Sequence, residues 1–204
     1  SENVSIELIE KIMYEYLQDN IEKQNIKKIT IALSGGIDSA LVFALIQKKF
    51  THVNIETISI KFAESFDETQ QAEKLSEFFG AKHHTIFLEN YLSELPQAIH
   101  AVGIPFWDLH WYHVAKKAKN ISTYLASGDG GDELFGGYTF RYSKFLSLIS
   151  KSSTPLEKVK AYLACHERDF VIDQEQIFGQ SVNFSWDKIY SHLIPYFDNK
   201  LEPL

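Results

Sequence analysis

The chain has 204 residues, 45% of them hydrophobic, and carries 20 Lys and Arg against 27 Asp and Glu, a formal charge of -7. That is enough apolar material for one ordinary globular core, and the acidic balance excludes a broad cationic surface for nucleic acid. A lone cysteine, Cys165, excludes an intrachain disulfide or a cysteine zinc cluster. With no signal peptide and no membrane-length apolar run, these features point to a soluble, cytoplasmic protein that binds neither nucleic acid nor membrane.

Ile6, Ile9, Ile12, Met13, Tyr16 and Leu17 recur at helical spacing, which predicts an amphipathic first helix ending near Glu22 to Asn25. A stripe of this kind is a packing face and carries no chemistry. Ile29 to Leu33 reads as a buried strand, Ala40 to Ile46 as the start of a helix reaching about Phe50, and Ser34-Gly35-Gly36-Ile37-Asp38-Ser39 joins them. A glycine turn between a strand and a helix suits phosphate, because unpaired N–H groups and the positive end of the helix dipole face outward there. Gly35 and Gly36 allow close approach, and Ser34 and Ser39 add hydroxyl donors. Asp38 would repel bound phosphate unless a cation lay between them, so it implies Mg²⁺ if the loop holds a nucleotide. The lysine of a Walker A motif is missing, which argues against a P-loop kinase or GTPase.

A second strand is expected at Asn54 to Ile60. Asp67 with Gln70 reads as an N-cap and capping box for a helix through Ala72, Leu75, Phe78 and Phe79 that stops at Gly80. His83 to Leu88 is a third strand, and its neighbouring histidines point to opposite faces, which argues against a shared metal. Tyr91 to Val102 has helical spacing, broken by Gly103 and Pro105. The aromatic segment Phe106 to His113 is a candidate pocket wall or core segment, Val114 to Lys119 completes a helix, and Ser122 to Ser127 gives a fourth strand. Alternating strands and helices predict an α/β fold, a parallel sheet with helices on both faces. Ligands bind such sheets at the strand carboxyl ends where strand order reverses, and the first and fourth strands are the candidates to flank that point.

The fourth strand leads into Ser127 to Tyr138, which holds five glycines and three carboxylates in twelve residues. The spacing does not fit an EF-hand. If this loop meets the first, Asp38 and Asp132 would face a common space suited to Mg²⁺ and phosphate oxygens. Beyond Tyr142 the sequence reads as helical, with Thr154-Pro155 as cap and first-turn proline, Leu156 to Arg168 as one helix and Trp186 to Tyr196 as another. The polar run Cys165 to Asp169 reads as a helical turn with ion pairs.

Leu33 to Ser39 resembles the pyrophosphate loop of the N-type ATP pyrophosphatases, and Ser127 to Tyr138 resembles the second signature of the asparagine synthetase family's synthetase domain; Asp67-Glu68 sits where that family has an acidic pair. The resemblance implies a fold like the adenine nucleotide alpha hydrolases (HUP, Rossmann-like). It divides the chain into an ATP pyrophosphatase (PP-loop) domain over 1–150 and a helical extension over 151–204, truncated and packed on the same domain. It implies ATP and Mg²⁺ as cofactors. Ser34, Gly35, Gly36, Asp38 and Ser39 would hold the pyrophosphate, and Asp38 and Asp132 the metal. Leu33 and Ile60, at the ends of the first two strands, would offer backbone to adenine, while Ser127, Gly128 and Asp129 would line the adenylate. Asp38, Asp129 and Asp132 are thus the catalytic candidates. The implied reaction is adenylation of a carboxylic acid such as aspartate, then amide formation with ammonia or another amine. Other readings of the loops are a non-catalytic ATP-binding or assembly module, a peptide or β-lactam cyclase, and, less well supported, an RNA-modifying enzyme. The family's late catalytic lysine and its arginine segment ahead of a Pro-Phe-Leu-Asp turn are not legible here, and the first residue, Ser1, is not the glutaminase cysteine. A separate glutaminase subunit or domain is therefore an expected partner, and a homo-oligomer is left open.

Overall fold

The computed structural model describes residues 5–62, 67–103, 109–166 and 184–197. Pro105, Phe106 to Asp108 and Glu167 to Asp169 lie outside them. The chain divides into two compact units, Ser1–Gly131 and Asp132–Leu204.

The first unit carries α1 (Ile6–Lys23), β1 (Lys28–Ala32), α2 (Ile37–Lys49), β2 (Asn54–Phe62), α3 (Thr69–Phe78), β3 (Lys82–Leu88), α4 (Tyr91–Val102), α5 (His110–Ala118) and β4 (Leu125–Ala126). The strands form one parallel sheet in the order β3-β2-β1-β4. From β1 the chain proceeds outward to β2 and β3, then returns to place β4 on the other side of β1. The order reverses between β1 and β4, the pair expected to flank it.

Ile29 and Ile31 of β1 and Ile55 of β2 share a core cluster with Ile21 of α1, Phe43 and Ile46 of α2 and Ala72 of α3. Phe43, Ile46 and Ile31 are fully buried. Successive strand side chains alternate in direction, so Ile58 lies on the opposite face, buried where α5 packs on β2. Burying a Phe or Ile side chain contributes roughly 1.5–3 kcal/mol, so this two-sided burial is what fixes the register.

Several boundaries differ from those expected, each for a local reason. Helix α2 begins at Ile37 because Gly36, extended at φ -83° and ψ 158°, is already its N-cap, which places Asp38 and Ser39 in the first helical turn. Strand β2 continues to Phe62, so Ile60 is not its last residue. Strand β4 is reduced to two residues: the Ser122 hydroxyl donates to the Tyr124 carbonyl at 2.6 Å and contacts the Thr30 hydroxyl at 3.0 Å, which bends the chain before Leu125. The capping box at Asp67 and Gln70 does not form. Glu68 is the N-cap, while Asp67 accepts from the Thr69 N–H at 3.1 Å and pairs with Lys61. Helix α4 ends as expected at Gly103, whose φ of 82° is the left-handed conformation glycine adopts freely.

In the second unit, α6 (Gly131–Phe135, starting on the last residue of the first unit) is followed by α7 (Thr139–Leu148), α8 (Pro155–Cys165) and α9 (Trp186–Leu193), with a 3-10 turn at Ile194–Phe197. Thr154 and Glu157 make a reciprocal capping box around Pro155 at the first position of α8. Val159 and Ala161 are buried, and the ring of Tyr162 packs on Phe197 at 5.5 Å between centroids. Among the described residues no helix is long and apolar enough to cross a membrane.

The two strand histidines go to separate partners. His84 bonds Glu56, and that contact together with the stronger one from Lys28 holds the Glu56 carboxyl below the usual range. His83 Nδ1 lies 2.8 Å from Thr57 Oγ1 in a buried group that includes Ser76. Ser76 donates to the Ala72 carbonyl at 2.7 Å, so its 2.6 Å contact with Thr57 uses the threonine proton, and Thr57 oxygen then accepts from His83 Nδ1–H. The neutral ring carries no proton on Nε2, which is buried without a hydrogen-bond partner. Charging the ring would bury an unpaired N–H, and burial accordingly pushes the His83 pKa below its ordinary value, outweighing attraction from Glu73.

Because the folded pKa lies below the unfolded value of about 6.5, the unfolded chain binds more protons as the medium becomes acid. Stability from this site is full above about pH 6.5 and falls as pH drops through that value toward the depressed one. Thermal midpoints at neutral and mildly acid pH should show His83→Gln to be less pH-sensitive than wild type; parallel curves would contradict the assignment. Thr57→Val, which strands the histidine donor, should cost about 1–3 kcal/mol in urea unfolding.

Candidate functional site

A cavity of about 520 Å³ opens at the carboxyl ends of β1 and β2, within the size range of small-ligand sites. Of the residues singled out from sequence, Leu33, Ser34, Asp38, Ser39, Ile60, Ser127, Gly128 and Asp129 all line it. Gly35 and Gly36 belong to the same loop beside it. Asp132 opens the second unit. There the Gly137 N–H donates to the Asp132 carbonyl at 2.9 Å, and a Cβ on Gly137 would fall 1.7 Å from Asp132 Oδ1, so only glycine leaves that carboxylate its place.

Serine hydroxyls fold the first loop. Ser39 Oγ accepts from the Ser34 N–H at 3.1 Å, lies 3.1 Å from Ser34 Oγ and donates to the Gly36 carbonyl at 3.3 Å. Ser34 Oγ in turn accepts from the Gly36 N–H at 3.1 Å. Ser39 is 5% exposed, so its hydroxyl is a buried staple as much as a donor to a ligand. The N–H groups of Ile37 and Asp38, in the first turn of α2, have no intrahelical acceptor and sit at the positive end of its dipole. These are the groups an anion would meet.

The second loop is pressed against the first. A Cβ on Gly128 would fall 2.4 Å from the Ser39 nitrogen and 2.6 Å from the Asp38 carbonyl carbon, and one on Gly131 would fall 2.5 Å from Asp38 Cγ. Gly128 is therefore required by backbone contact, while a side chain at Gly131 would have to displace the Asp38 carboxylate. Gly130 supplies the left-handed turn at φ 91°, and Ser127 Oγ accepts from the Asp129 N–H at 3.4 Å.

Leu33 is buried, and its backbone is already engaged: its N–H donates to the Ile58 carbonyl at 2.9 Å, and its carbonyl accepts from the Ser59 hydroxyl. The second lone pair of that carbonyl is what it can still offer a ligand. The apolar wall comes from Leu33, Ile58, Ile60, Phe62, Val114 and Trp111, and His110 also lines the cavity. Of the described residues of the aromatic segment, Trp111 and His110 reach the site. Sequence reasoning missed Ser59, Phe62 and Thr69, whose hydroxyls and ring lie on ordinary strand and helix positions; Glu68 was visible only as half of an acidic pair. Asp38, Glu68 and Asp129 are the lining carboxylates, and no Lys or Arg is among the described residues that line the cavity. Lys61 is paired with Asp67, whose carboxyl it holds below the usual range, with help from Thr69.

A parallel α/β unit with a serine-stapled glycine loop at its switch point, met there by a second glycine loop, has the architecture of a PP-loop fold. Residues 15–193 match the asparagine synthase family model, and the chain belongs to that family. It is 36% identical over 137 residues to asparagine synthetase [glutamine-hydrolyzing] 1 of Bacillus subtilis, an alignment covering 64% of this chain and 20% of that protein. It is 28% identical over 131 residues to asparagine synthetase [glutamine-hydrolyzing] of Gallus gallus, covering 56% of this chain and 22% of that protein. The chain thus spans about a fifth of the length of these relatives. Among solved structures, the NH3-dependent NAD synthetase of Campylobacter jejuni superposes with a TM-score of 0.49 at 15% identity, over 98% of this chain and 99% of that one.

Gly128→Ala should drive the two loops apart, because its methyl would meet backbone that cannot swing away. Overpacking of this kind costs about 1–3 kcal/mol, readable as a lowered thermal midpoint. An unchanged midpoint would show that the loops are not in the contact described.

Proposed function

We propose that this chain is the ATP-using part of an asparagine synthetase-like amide ligase. The observation that carries the reading is the seating of the second glycine loop on the first turn of α2, which gathers phosphate-type donors, Asp38 and Asp129 at one cavity mouth. In the proposed reaction a substrate carboxylate oxygen attacks the α-phosphorus of ATP. The bond to the β-phosphate oxygen breaks, and pyrophosphate leaves from an acyl adenylate. An amine nitrogen then attacks the acyl carbon, AMP departs with the carboxylate-derived oxygen, and the nitrogen loses a proton to give the amide.

The residues divide this work by their chemistry. Ser34, Gly35, Gly36 and Ser39, with the first-turn amides of α2, hold the leaving pyrophosphate, and fixed dipoles of this kind stabilise developing charge without reorganising. Leu33 and Ile60 border adenine, while Ser127, Gly128 and Asp129 line the adenylate. An oxygen-rich set with several carboxylates and, among the described residues, no lining Lys or Arg suits Mg²⁺, which prefers one or two carboxylates completed by phosphate oxygens and water. Among the described residues no group of three or more His, Cys, Asp or Glu is gathered as in a dedicated metal cage. Asp38 would hold the ion from the first turn of α2. When bound, it would neutralise phosphate charge and orient the departing group. Aspartate is the proposed acid and ammonia the proposed amine, supplied from solution or by a glutaminase domain or subunit.

ATP–pyrophosphate exchange tests this reading. With Mg²⁺ and aspartate, labelled pyrophosphate should enter ATP, and Asp38→Asn should lower that exchange by a hundredfold or more, on the order of the loss of a preorganised charge-stabilising group. Tight ATP binding without exchange across a panel of carboxylic acids would favour instead a nucleotide-binding module that does no chemistry.

A further inference from the structure

The phosphate loop is touched by a side chain that belongs to neither glycine signature. A Cβ built on Gly35 would lie 2.4 Å from Gln71 Oε1, 3.4 Å from Gln71 Cδ and 3.5 Å from Gln71 Cβ. The carboxamide therefore lies across the open Cα face of Gly35, at the centre of the loop. Gln71 is held there by its helix. Ala72, the next residue, is 1% exposed and belongs to the main core cluster, while Thr69, two residues earlier, lines the cavity and is itself fixed by Asp67. The backbone of α3 is thus anchored on both sides of Gln71, whose side chain is exposed and lies against Gly35.

We propose that Gln71 is a phosphate-binding residue whose carboxamide donates to the pyrophosphate portion of the nucleotide seated on Gly35. The inference rests on the proposed ATP-binding role of the loop and extends it to a residue of α3. The chemistry favours this side chain for a definite reason. The cavity is walled by the carboxylates of Asp38, Glu68 and Asp129, and no Lys or Arg is among the described residues lining it, so an incoming polyanion must be met by neutral donors in addition to any cation. A primary amide provides two N–H donors without a charge that would need its own partner. The terminal torsion of glutamine is broad and nearly two-fold, so a half-turn exchanges Oε1, which faces Gly35, for the NH₂ group without moving the rest of the side chain. AMP, which lacks the β and γ phosphates, would not reach this group.

Calorimetric titration of the chain with Mg-pyrophosphate, Mg-ATP and AMP separates the outcomes. Gln71→Ala should weaken pyrophosphate and ATP by roughly tenfold, as for loss of a hydrogen bond to a charged group, and leave AMP unchanged. Gln71→Glu, nearly the same shape with a negative charge, should weaken both further. Since Gln71 is exposed, both variants should keep the wild-type thermal midpoint, which shows that any loss is local. Unaltered pyrophosphate and ATP affinity in Gln71→Ala, or an equal loss for AMP, overturns this inference while leaving the ATP-binding reading intact. Failure of the wild-type chain to bind either pyrophosphate or ATP overturns the reading on which it depends, and the inference with it.

Discussion

Backbone meets backbone at Gly128, and the Asp38 side chain lies against Gly131, so closely that a Cβ at either position would collide with the first turn of α2, and the site depends on that approach. Methyl groups at those positions would occupy the space of the Ser39 nitrogen and the Asp38 carboxylate. Removing the side chains lets the second loop rest on the first turn of α2, and this contact brings Ser127 and Asp129 to the same cavity as Ser34 and Ser39. The glycines thus set the distance between two acidic, hydroxyl-rich segments. In the second unit Gly137 has the same relation to Asp132.

The sheet makes the approach possible. With β1 central and β4 returning beside it, the loops that follow these two strands emerge as neighbours at one edge of the sheet. The core behind them, built from Ile31, Phe43 and Ile46, is fully buried and leaves the strand ends little freedom to shift. The serine staple then closes the first loop from within. Preorganisation is the physical meaning of this arrangement: the donors are held in place in advance, so the proposed binding of an anion would not have to order them.

Much of this was legible in the sequence because the pattern and its cause are local. Alternation of apolar strands and amphipathic helices gave the parallel sheet, and the glycine loops marked β1 and β4 as the flanks of the switch point. Where the reading failed, tertiary contact had decided the matter. Asp67 does not cap α3, since Lys61 and Thr69 compete for its carboxylate. The fourth strand shrinks because Ser122 bonds back to Tyr124 instead of extending the ladder. Ser59, Thr69 and Gln71 left no signal, because hydroxyls and amides on a strand or helix declare no purpose until the fold brings them to a cavity or, for Gln71, against Gly35. The histidine pair was correctly read as strand structure, yet the buried group of Thr57, Ser76 and His83 could not have been foreseen from spacing alone.

In the proposed function the loop from Ser34 to Ser39 holds the pyrophosphate end of a nucleotide. Backbone amide resonances of the labelled chain, followed while Mg-pyrophosphate is added, test it most directly. The largest saturable shifts should fall on the amides of Gly35 to Ser39 and on Gly128, with little change in α1 or α4. Saturable binding whose shifts fall elsewhere, with the loop unmoved, would contradict it.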